Sequence, residues 1–222
     1  MQVANKKTAI YQHILEQLLS RRYAFGQKIL VKEIGEETGV SRQPIMTALN
    51  SLQERGFVVI TAQVGCEVVH PSYLEVDDFY QMFANNEALI AGLAADRGRP
   101  EEVLRMTEIN EKIKNINPQH SDASESYRTL NVEFHRLLHS MAKSPILSTR
   151  QVANFELSDF FIVQTCGFEA HLSAVIDEHD EIVAALQTRN KQAAAKAAAS
   201  HIHSVAKDVV SKMQTFEAEL DS

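Results

Sequence analysis

The stretch ILVKEIGEETGVSRQPIMTALNSLQERGFVVI, residues 29–60, decides the fold of the N-terminal part of the chain. Its apolar residues first recur at helical spacing and then run together at the end, where β-branched residues dominate. The change of period predicts two short helices over residues 31–38 and 42–55, joined by a turn and followed by a strand. One apolar face of the second helix consists of Ile45, Leu49 and Leu52.

The flanking residues extend this pattern on both sides. Before it, residues 8–20 place isoleucines and a leucine four positions apart, which predicts another helix. After it, residues 57–61 and 66–69 are two β-branched runs separated by a short polar turn, which is typical of a β-hairpin. A helix, a helix–turn–helix and a hairpin in this order predict a winged helix-turn-helix domain over residues 1–70.

A winged helix-turn-helix predicts contact with double-stranded DNA. The second helix of the motif enters the major groove with its N-terminal residues first. Arg42 can bond the O6 and N7 atoms of guanine, Gln43 can pair with adenine, and Lys32 suits a phosphate. Glycine at the hairpin tip would let the wing approach the DNA closely. A capped helix start in an ordinary bundle is the alternative, which the complete order of elements disfavours. The predicted DNA contacts are Lys32, Ser41, Arg42, Gln43, Thr47 and Gly65.

The charge of the chain is distributed unevenly. The net charge is −7, which is unusual for a DNA-binding protein. Residues 1–70 nevertheless carry eight basic and six acidic side chains, whereas the remainder carries 14 basic and 23 acidic ones. This distribution predicts a mildly basic reading head on an acidic body, with phosphate attraction confined to the head.

The rest of the chain, residues 73–222, shows only helical patterns and predicts an all-α antiparallel bundle, so the expected fold is mainly α. No run of 18 apolar residues and no signal peptide is present, and two distant cysteines fit reduced thiols, so we expect a cytoplasmic protein without membrane contact. Prolines at 100, 118 and 145 mark helix boundaries. The predicted helices cover residues 75–97, 100–117, 121–142, 145–167, 170–188 and 191–219.

Histidines are concentrated in this helical part. His135, His179 and His201 lie inside three different predicted helices, and Asn131 lies one turn before His135 on the same face. Imidazoles gathered in a bundle interior form a natural metal site, which an oxygen ligand can complete. Spacing alone leaves a structural role for these histidines open. His139, His171 and His203 are the alternatives, although residues 201 and 203 cannot face the same site.

The N-terminal residues resemble the GntR family of bacterial regulators. In that family the turn and second helix read G-V-S-R-x-P-V-R-E-A-L-x-x-L-x-x-x-G. The chain departs from this pattern at Met46 and Thr47, where the family usually has Arg and Glu, so a different operator preference is expected. The matching positions are Gly39, Val40, Ser41, Arg42, Pro44, Ala48, Leu49, Leu52 and Gly56.

The helical part resembles the FCD ligand-binding domain of the FadR-type, VanR-like subgroup. The family's D-x-x-F-H is similar to residues 131–135, and its E-H-x-x-I-x-x-A-[IL] is similar to residues 178–186. The resemblance implies a divalent metal bound by three histidines and one further residue, and a pocket for a small carboxylate effector. We expect this metal to be Zn or Ni. Here that further residue is Asn131, a neutral and weaker ligand than the family's aspartate. The implied metal ligands are His135, His179, His201 and Asn131.

These features predict a transcription regulator, not an enzyme. A homodimer would read a pseudo-palindromic operator, and a small organic acid would modulate binding, with repression as the expected default. One alternative is a regulator whose metal is structural or is itself the signal. A second is a metal-dependent hydrolase with Glu178 or Asp180 as its base, although no hydrolase motif is present. Candidate effector-pocket residues are Arg150, Asn154 and Gln164.

Overall fold

The computed structural model of the protein describes residues 2–117, 119–120, 122–168 and 172–220. The chain divides into two compact units. The first consists of Met1–Pro71 together with Asp159–Gln164, and the second of Ser72–Ser158 together with Thr165–Ser222. The sequence placed residues 159–164 wholly in the helical domain, so their membership of the first unit was not expected.

The first unit has the winged helix-turn-helix arrangement. Its three strands form an antiparallel sheet in the order β1-β3-β2, and the hairpin pairs Val58 with Val68 and Thr61 with Gly65. The short strand β1 was not predicted, because a two-residue strand is too short to show alternation. The elements are α1 (Gln2–Leu19), β1 (Lys28–Ile29), α2 (Val31–Thr38), α3 (Arg42–Glu54), β2 (Val58–Thr61) and β3 (Gly65–Val68).

The core of this unit follows from the apolar periodicity of its helices. Ile14, Ile34 and Ile45 are fully buried, and Phe57 contacts Phe160 edge to face with ring centroids 5.4 Å apart. The aromatic contact explains why residues 159–164 belong to this unit. The fully buried residues of α3 are Ile45, Ala48, Leu49 and Leu52.

The turn between α2 and α3 needs a glycine. Gly39 ends α2 with φ of +65°, a left-handed conformation that costs other residues free energy, and its N–H donates to the carbonyl of Gly35. Ser41 then occupies the N-cap position of α3, although its hydroxyl makes no capping hydrogen bond. The turn thus directs the N-terminal end of α3 outward.

The second unit is entirely helical over its described residues. Helix α4 begins with a complete capping box between Ser72 and Glu75, and Pro100 occupies the first turn of α5. Pro118 lies outside the described residues. Its helices are α4 (Tyr73–Arg97), α5 (Pro100–Lys114), α6 (Ala123–Met141), α7 (Pro145–Gln164), α8 (Leu172–Gln187) and α9 (Lys191–Leu220), except that the last six residues of α7 belong to the first unit.

Packing within the second unit brings its functional side chains together. Helix α4 packs along α9, and α8 contacts α4, α5 and α9. Helix α6 contacts both α4 and α5. Among the described residues, no helix combines the length and the apolar character needed to cross a lipid bilayer.

Candidate metal centre and DNA-contact residues

Three histidines from three helices meet in the interior of the second unit. His135 on α6, His179 on α8 and His201 on α9 each offer a ligand atom within 4.8 Å of the others. Their ring centroids are 5.0 to 5.4 Å apart, and their exposed fractions are 1%, 0% and 2%. His203, one of the alternatives, is exposed, and His171 lies outside the described residues.

Each of these rings has an oxygen partner at Nδ1. His135 Nδ1 lies 3.0 Å from Oε1 of Glu87, and His201 Nδ1 lies 2.8 Å from Oε2 of Glu178. His179 Nδ1 lies 3.2 Å from Oδ1 of Asn110. An oxygen that accepts from Nδ1–H fixes the tautomer, so the lone pair of each neutral ring is on Nε2.

The remaining polar atoms fit a metal ligand set. Nε2 of His135, Nε2 of His179 and Oδ1 of Asn131 are all buried and have no hydrogen-bond partner. Buried polar atoms without a partner are costly, and three on residues of the predicted ligand set call for an explanation. Nitrogen and oxygen donors of this kind are typical ligands of zinc and nickel. The donor set therefore suits a divalent transition metal.

Burial keeps two of the imidazoles neutral. It lowers the pKa of His135 to about 4, against the opposing effect of the hydrogen bond that His135 donates to Glu87. It also lowers the pKa of His179 well below the ordinary value, and the neighbouring histidines contribute to that decrease. A neutral ring is the form that binds metal, so these two side chains are in their ligating state at neutral pH.

A second group of possible ligands shares His135. Glu87, His135 and His139 are all buried and lie close enough to hold an ion. Here, however, the carboxylate oxygens already lie 3.0 Å from Nδ1 of His135 and 3.0 to 3.2 Å from Nε2 of His139. These hydrogen bonds engage the carboxylate of Glu87, although Nδ1 of His139 is buried without a partner, as Nε2 of His135 and Nε2 of His179 are.

Glu87 is the ionised centre of this second group. Burial alone would raise the pKa of its carboxyl, but the electrostatic interaction with His139 and the hydrogen bonds with His135 and His139 lower it below its ordinary value. Gln151 on α7 also donates to Glu87 Oε2 at 2.8 Å. The negative charge of Glu87 is therefore held directly behind the His135 ring.

The three residues proposed for the effector pocket have different positions. Arg150 is exposed, and half-buried Asn154 donates to Gln151 Oε1 at 2.9 Å. Gln164 is buried in the first unit, where its amide donates to the carbonyl oxygens of Leu18 and Tyr23. The amide nitrogen of Gln164 is thus engaged within the first unit, and its predicted role in an effector pocket stays a prediction.

The proposed DNA contacts cluster on accessible parts of the first unit. Ser41, Arg42 and Gln43 are exposed at the N-terminal end of α3. Lys32 is exposed beside Glu36 at 3.6 Å, a weak surface pair that leaves its ammonium available. The hydroxyl of Thr47 donates a hydrogen bond to the carbonyl of Gln43. Gly65 is open to solvent, with no atom within 4 Å of the position that a Cβ would occupy.

Sequence reasoning missed the residues behind the histidines. Glu87 is 48 positions before His135 and belongs to no motif that predicts its role. Asn110 is likewise 69 positions from its partner His179. A buried carboxylate on an otherwise apolar helical face was the available signal. Glu178 was considered only as a base for hydrolysis, whereas it bonds His201.

Comparison with known proteins identifies both units. Residues 6–68 match the gntR family of bacterial regulatory proteins, and residues 78–204 match the FCD domain. The chain is 22% identical over 193 residues to the HTH-type transcriptional regulator YdhC of Bacillus subtilis (strain 168), covering 87% of this chain and 86% of YdhC. It is 26% identical over 229 residues to the HTH-type transcriptional repressor NanR of Cronobacter sakazakii, covering 91% and 85%.

Solved structures show the same fold. The E. coli protein McbR/YncC superposes with a TM-score of 0.74 at 16% identity, covering 96% of this chain and 98% of that protein. A GntR transcriptional regulator from Rhodococcus sp. RHA1 superposes with a TM-score of 0.73 at 15% identity, covering 93% and 98%. The predicted fold class, a winged helix-turn-helix followed by a helical FCD domain, is thereby confirmed.

Proposed function

The chain belongs to the GntR family of DNA-binding transcription regulators and carries an FCD domain after its winged helix. On this premise we propose that it is a cytoplasmic, dimeric repressor whose activity is controlled by a metal-bound effector. The NanR relatives are named as repressors, which supports the same direction of control here. A dimer would present two copies of α3 to a pseudo-palindromic operator. The family consists of regulators, so the hydrolase alternative is set aside.

One observation carries the metal part of the proposal. Nε2 of His135, Nε2 of His179 and Oδ1 of Asn131 are buried and unpartnered, while the opposite nitrogen of each ring has an oxygen partner. Buried polar atoms are usually satisfied by hydrogen bonds, so unpartnered atoms on three residues of the predicted ligand set favour a metal. We assign His135, His179 and His201 as ligands of Zn or Ni, with Asn131 as an oxygen ligand.

The site would work by recruiting an anion. The bound metal supplies a Lewis-acidic centre whose open coordination positions attract the carboxylate of a small organic acid. The chain's own part is to hold three imidazoles in a fixed orientation, because Glu87, Asn110 and Glu178 accept from their Nδ1 atoms. An effector changes operator affinity only if it binds the competent and incompetent forms of the dimer unequally.

Metal analysis of the purified protein tests this assignment. We expect up to one Zn or Ni per chain, lost on dialysis against a chelator and regained on titration. Operator binding is then measured at fixed salt with the reloaded protein, with and without a panel of small carboxylic acids. A carboxylate that weakens binding only with metal supports the proposal, whereas a response to metal alone supports a metal-responsive regulator. No bound metal and no uptake would contradict the site.

Arg42→Ala is expected to weaken specific operator binding by about 1–3 kcal/mol, because an exposed arginine at the start of α3 is placed to bond guanine. The measurement is an operator titration at constant salt, alongside a scrambled duplex. Arg136→Ala, which removes an exposed arginine from the second unit, is the matched control and should bind as the unaltered protein does. Equal operator affinity in both variants would rule out this role of Arg42.

A further inference from the structure

The proposed ligand set contains no negative charge. Three imidazoles that ligate through Nε2 are neutral, and the amide oxygen of Asn131 is neutral as well. A divalent cation held by such a set keeps its full charge in an interior where the ligands are at most 8% exposed. Burying an uncompensated charge is expensive, so stable binding requires negative charge close to the ligands.

Glu87 supplies such a charge behind His135. It is fully buried on α4, and its Oε1 lies 3.0 Å from Nδ1 of His135. His139 and Gln151 hold the same carboxylate from other sides at 3.0 and 2.8 Å. With partners on α6 and α7, the carboxylate cannot rotate away, so it sets the plane of the His135 ring.

Glu178 supplies a second charge behind His201. Its Oε2 lies 2.8 Å from Nδ1 of His201, and its side chain is 21% exposed. Glu178 directly precedes the ligand His179 in the sequence, so one turn of α8 provides a ligand and the partner of another ligand. The third ring, His179, has only the neutral oxygen of Asn110 behind it, at 3.2 Å.

We propose that Glu87 and Glu178 are positioning residues that make this neutral ligand set competent to hold a divalent metal. The inference rests on the metal site proposed above. Each carboxylate orients one imidazole and draws its Nδ1 proton, which makes Nε2 a stronger donor. The direct ligands carry no negative charge. Together the two carboxylates supply two negative charges, which balance the charge of one divalent ion.

Metal titration of single-charge variants tests this role. Glu87→Gln and Glu178→Gln keep a hydrogen-bond acceptor but remove the charge. Each is expected to lower the affinity for Co²⁺, and for Zn²⁺ measured by competition, by about 10- to 100-fold. The visible absorption of bound Co²⁺ reports the coordination geometry directly, so the readout does not depend on operator binding. Circular dichroism and thermal unfolding of the chelated proteins confirm that each variant is folded.

A rescue experiment separates charge from structure. Asn131→Asp places a carboxylate in the ligand set itself, so in the Glu87→Gln background it should restore most of the lost affinity. Weak binding that Asn131→Asp fails to restore would overturn the charge-balancing role. Glu133→Gln is the matched control, because Glu133 lies on α6 near His135 but is paired with Arg105 at 3.0 Å. It should bind Co²⁺ as the unaltered protein does, and an equal loss in this variant would also overturn the inference.

The same titrations distinguish failure of this inference from failure of the metal site. If the unaltered protein binds no Co²⁺ or Zn²⁺, the proposed function itself fails. If the unaltered protein binds metal and both glutamine variants bind it equally well, the metal site stands and the positioning role of Glu87 and Glu178 is wrong.

Discussion

His179→Ala is expected to abolish metal binding, with a loss greater than the about 10- to 100-fold that follows from losing an outer hydrogen-bond partner. The change removes one of three ligand nitrogens, and among the described residues only His135 and His201 share this histidine group. Isothermal titration with Zn²⁺ or Ni²⁺ measures the loss. Thermal unfolding provides a second measurement, because metal stabilises the folded protein only if it binds there.

Two controls define what this result means. His203→Ala removes an exposed histidine on α9 and should leave metal affinity unchanged. At a metal concentration 100 times the dissociation constant, the unaltered protein should gain about 2.7 kcal/mol of stability, and His179→Ala should gain none. Metal-dependent stabilisation that persists in His179→Ala would show that the ion binds elsewhere, with the Glu87 and His139 group as the next candidate.

The fold could be predicted from the sequence because its signals are local. The periodicity of Ile45, Leu49 and Leu52 identifies the buried face of α3, and all three residues are fully buried. Glycine at position 39 marks the turn, where the backbone is left-handed. Strand β1 and the place of residues 159–164 could not be predicted, since both depend on pairing with residues far away in the sequence.

The candidate site shows the same division. Helical spacing and family resemblance indicated His135, His179 and His201, and the structure brings them together. Periodicity could not choose between residues 135 and 139, because both are buried on the same helix. What separates them is tertiary. Both rings bond Glu87 from α4 through one nitrogen and leave the other unpartnered, but only His135 lies within ligand distance of His179 and His201.

The partners of the ligands lay beyond sequence reasoning for a physical reason. A hydrogen bond between α4 and α6 depends on how the two helices are rotated against each other, which neither sequence pattern encodes alone. Gln164 illustrates the converse. Its position on α7 was compatible with the pocket, but the last residues of that helix belong to the first unit. Helical periodicity predicts which face of its helix a residue lies on, but it does not predict which residue of another helix packs against that face.

The metal-free protein is expected to lose stability steeply as the pH falls from about 6.5 to about 4. Burial lowers the pKa of His135 to about 4 and the pKa of His179 well below its ordinary value. An unfolded chain protonates both rings near pH 6.5, so the unfolded state binds more protons in this window. The free energy of unfolding therefore carries no penalty from these two histidines above pH 6.5 and decreases below it. His135 alone accounts for a decrease on the order of 3 kcal/mol by pH 4.

Chemical denaturation of the chelated protein at several pH values between 7.5 and 4.5 measures this decline. His179→Ala removes one of the two titrating groups, so its stability should fall less steeply by up to about 1.4 kcal/mol per pH unit. His203→Ala, which removes an exposed ring, should keep the full slope. An unchanged slope in His179→Ala would contradict the assignment of a buried neutral imidazole at this position.

Added metal should make stability depend more strongly on pH in the same range. Zn²⁺ and protons compete for Nε2 of the same rings, so metal affinity falls as the imidazoles become protonated. Stabilisation by a fixed concentration of Zn²⁺ should accordingly be largest above pH 6.5 and shrink below it. The pKa of Glu87 is lower than that of an ordinary glutamate, so its carboxylate remains ionised beside His135 while that ring titrates. Loss of metal on acidification is thus expected to follow the histidines and not this carboxylate.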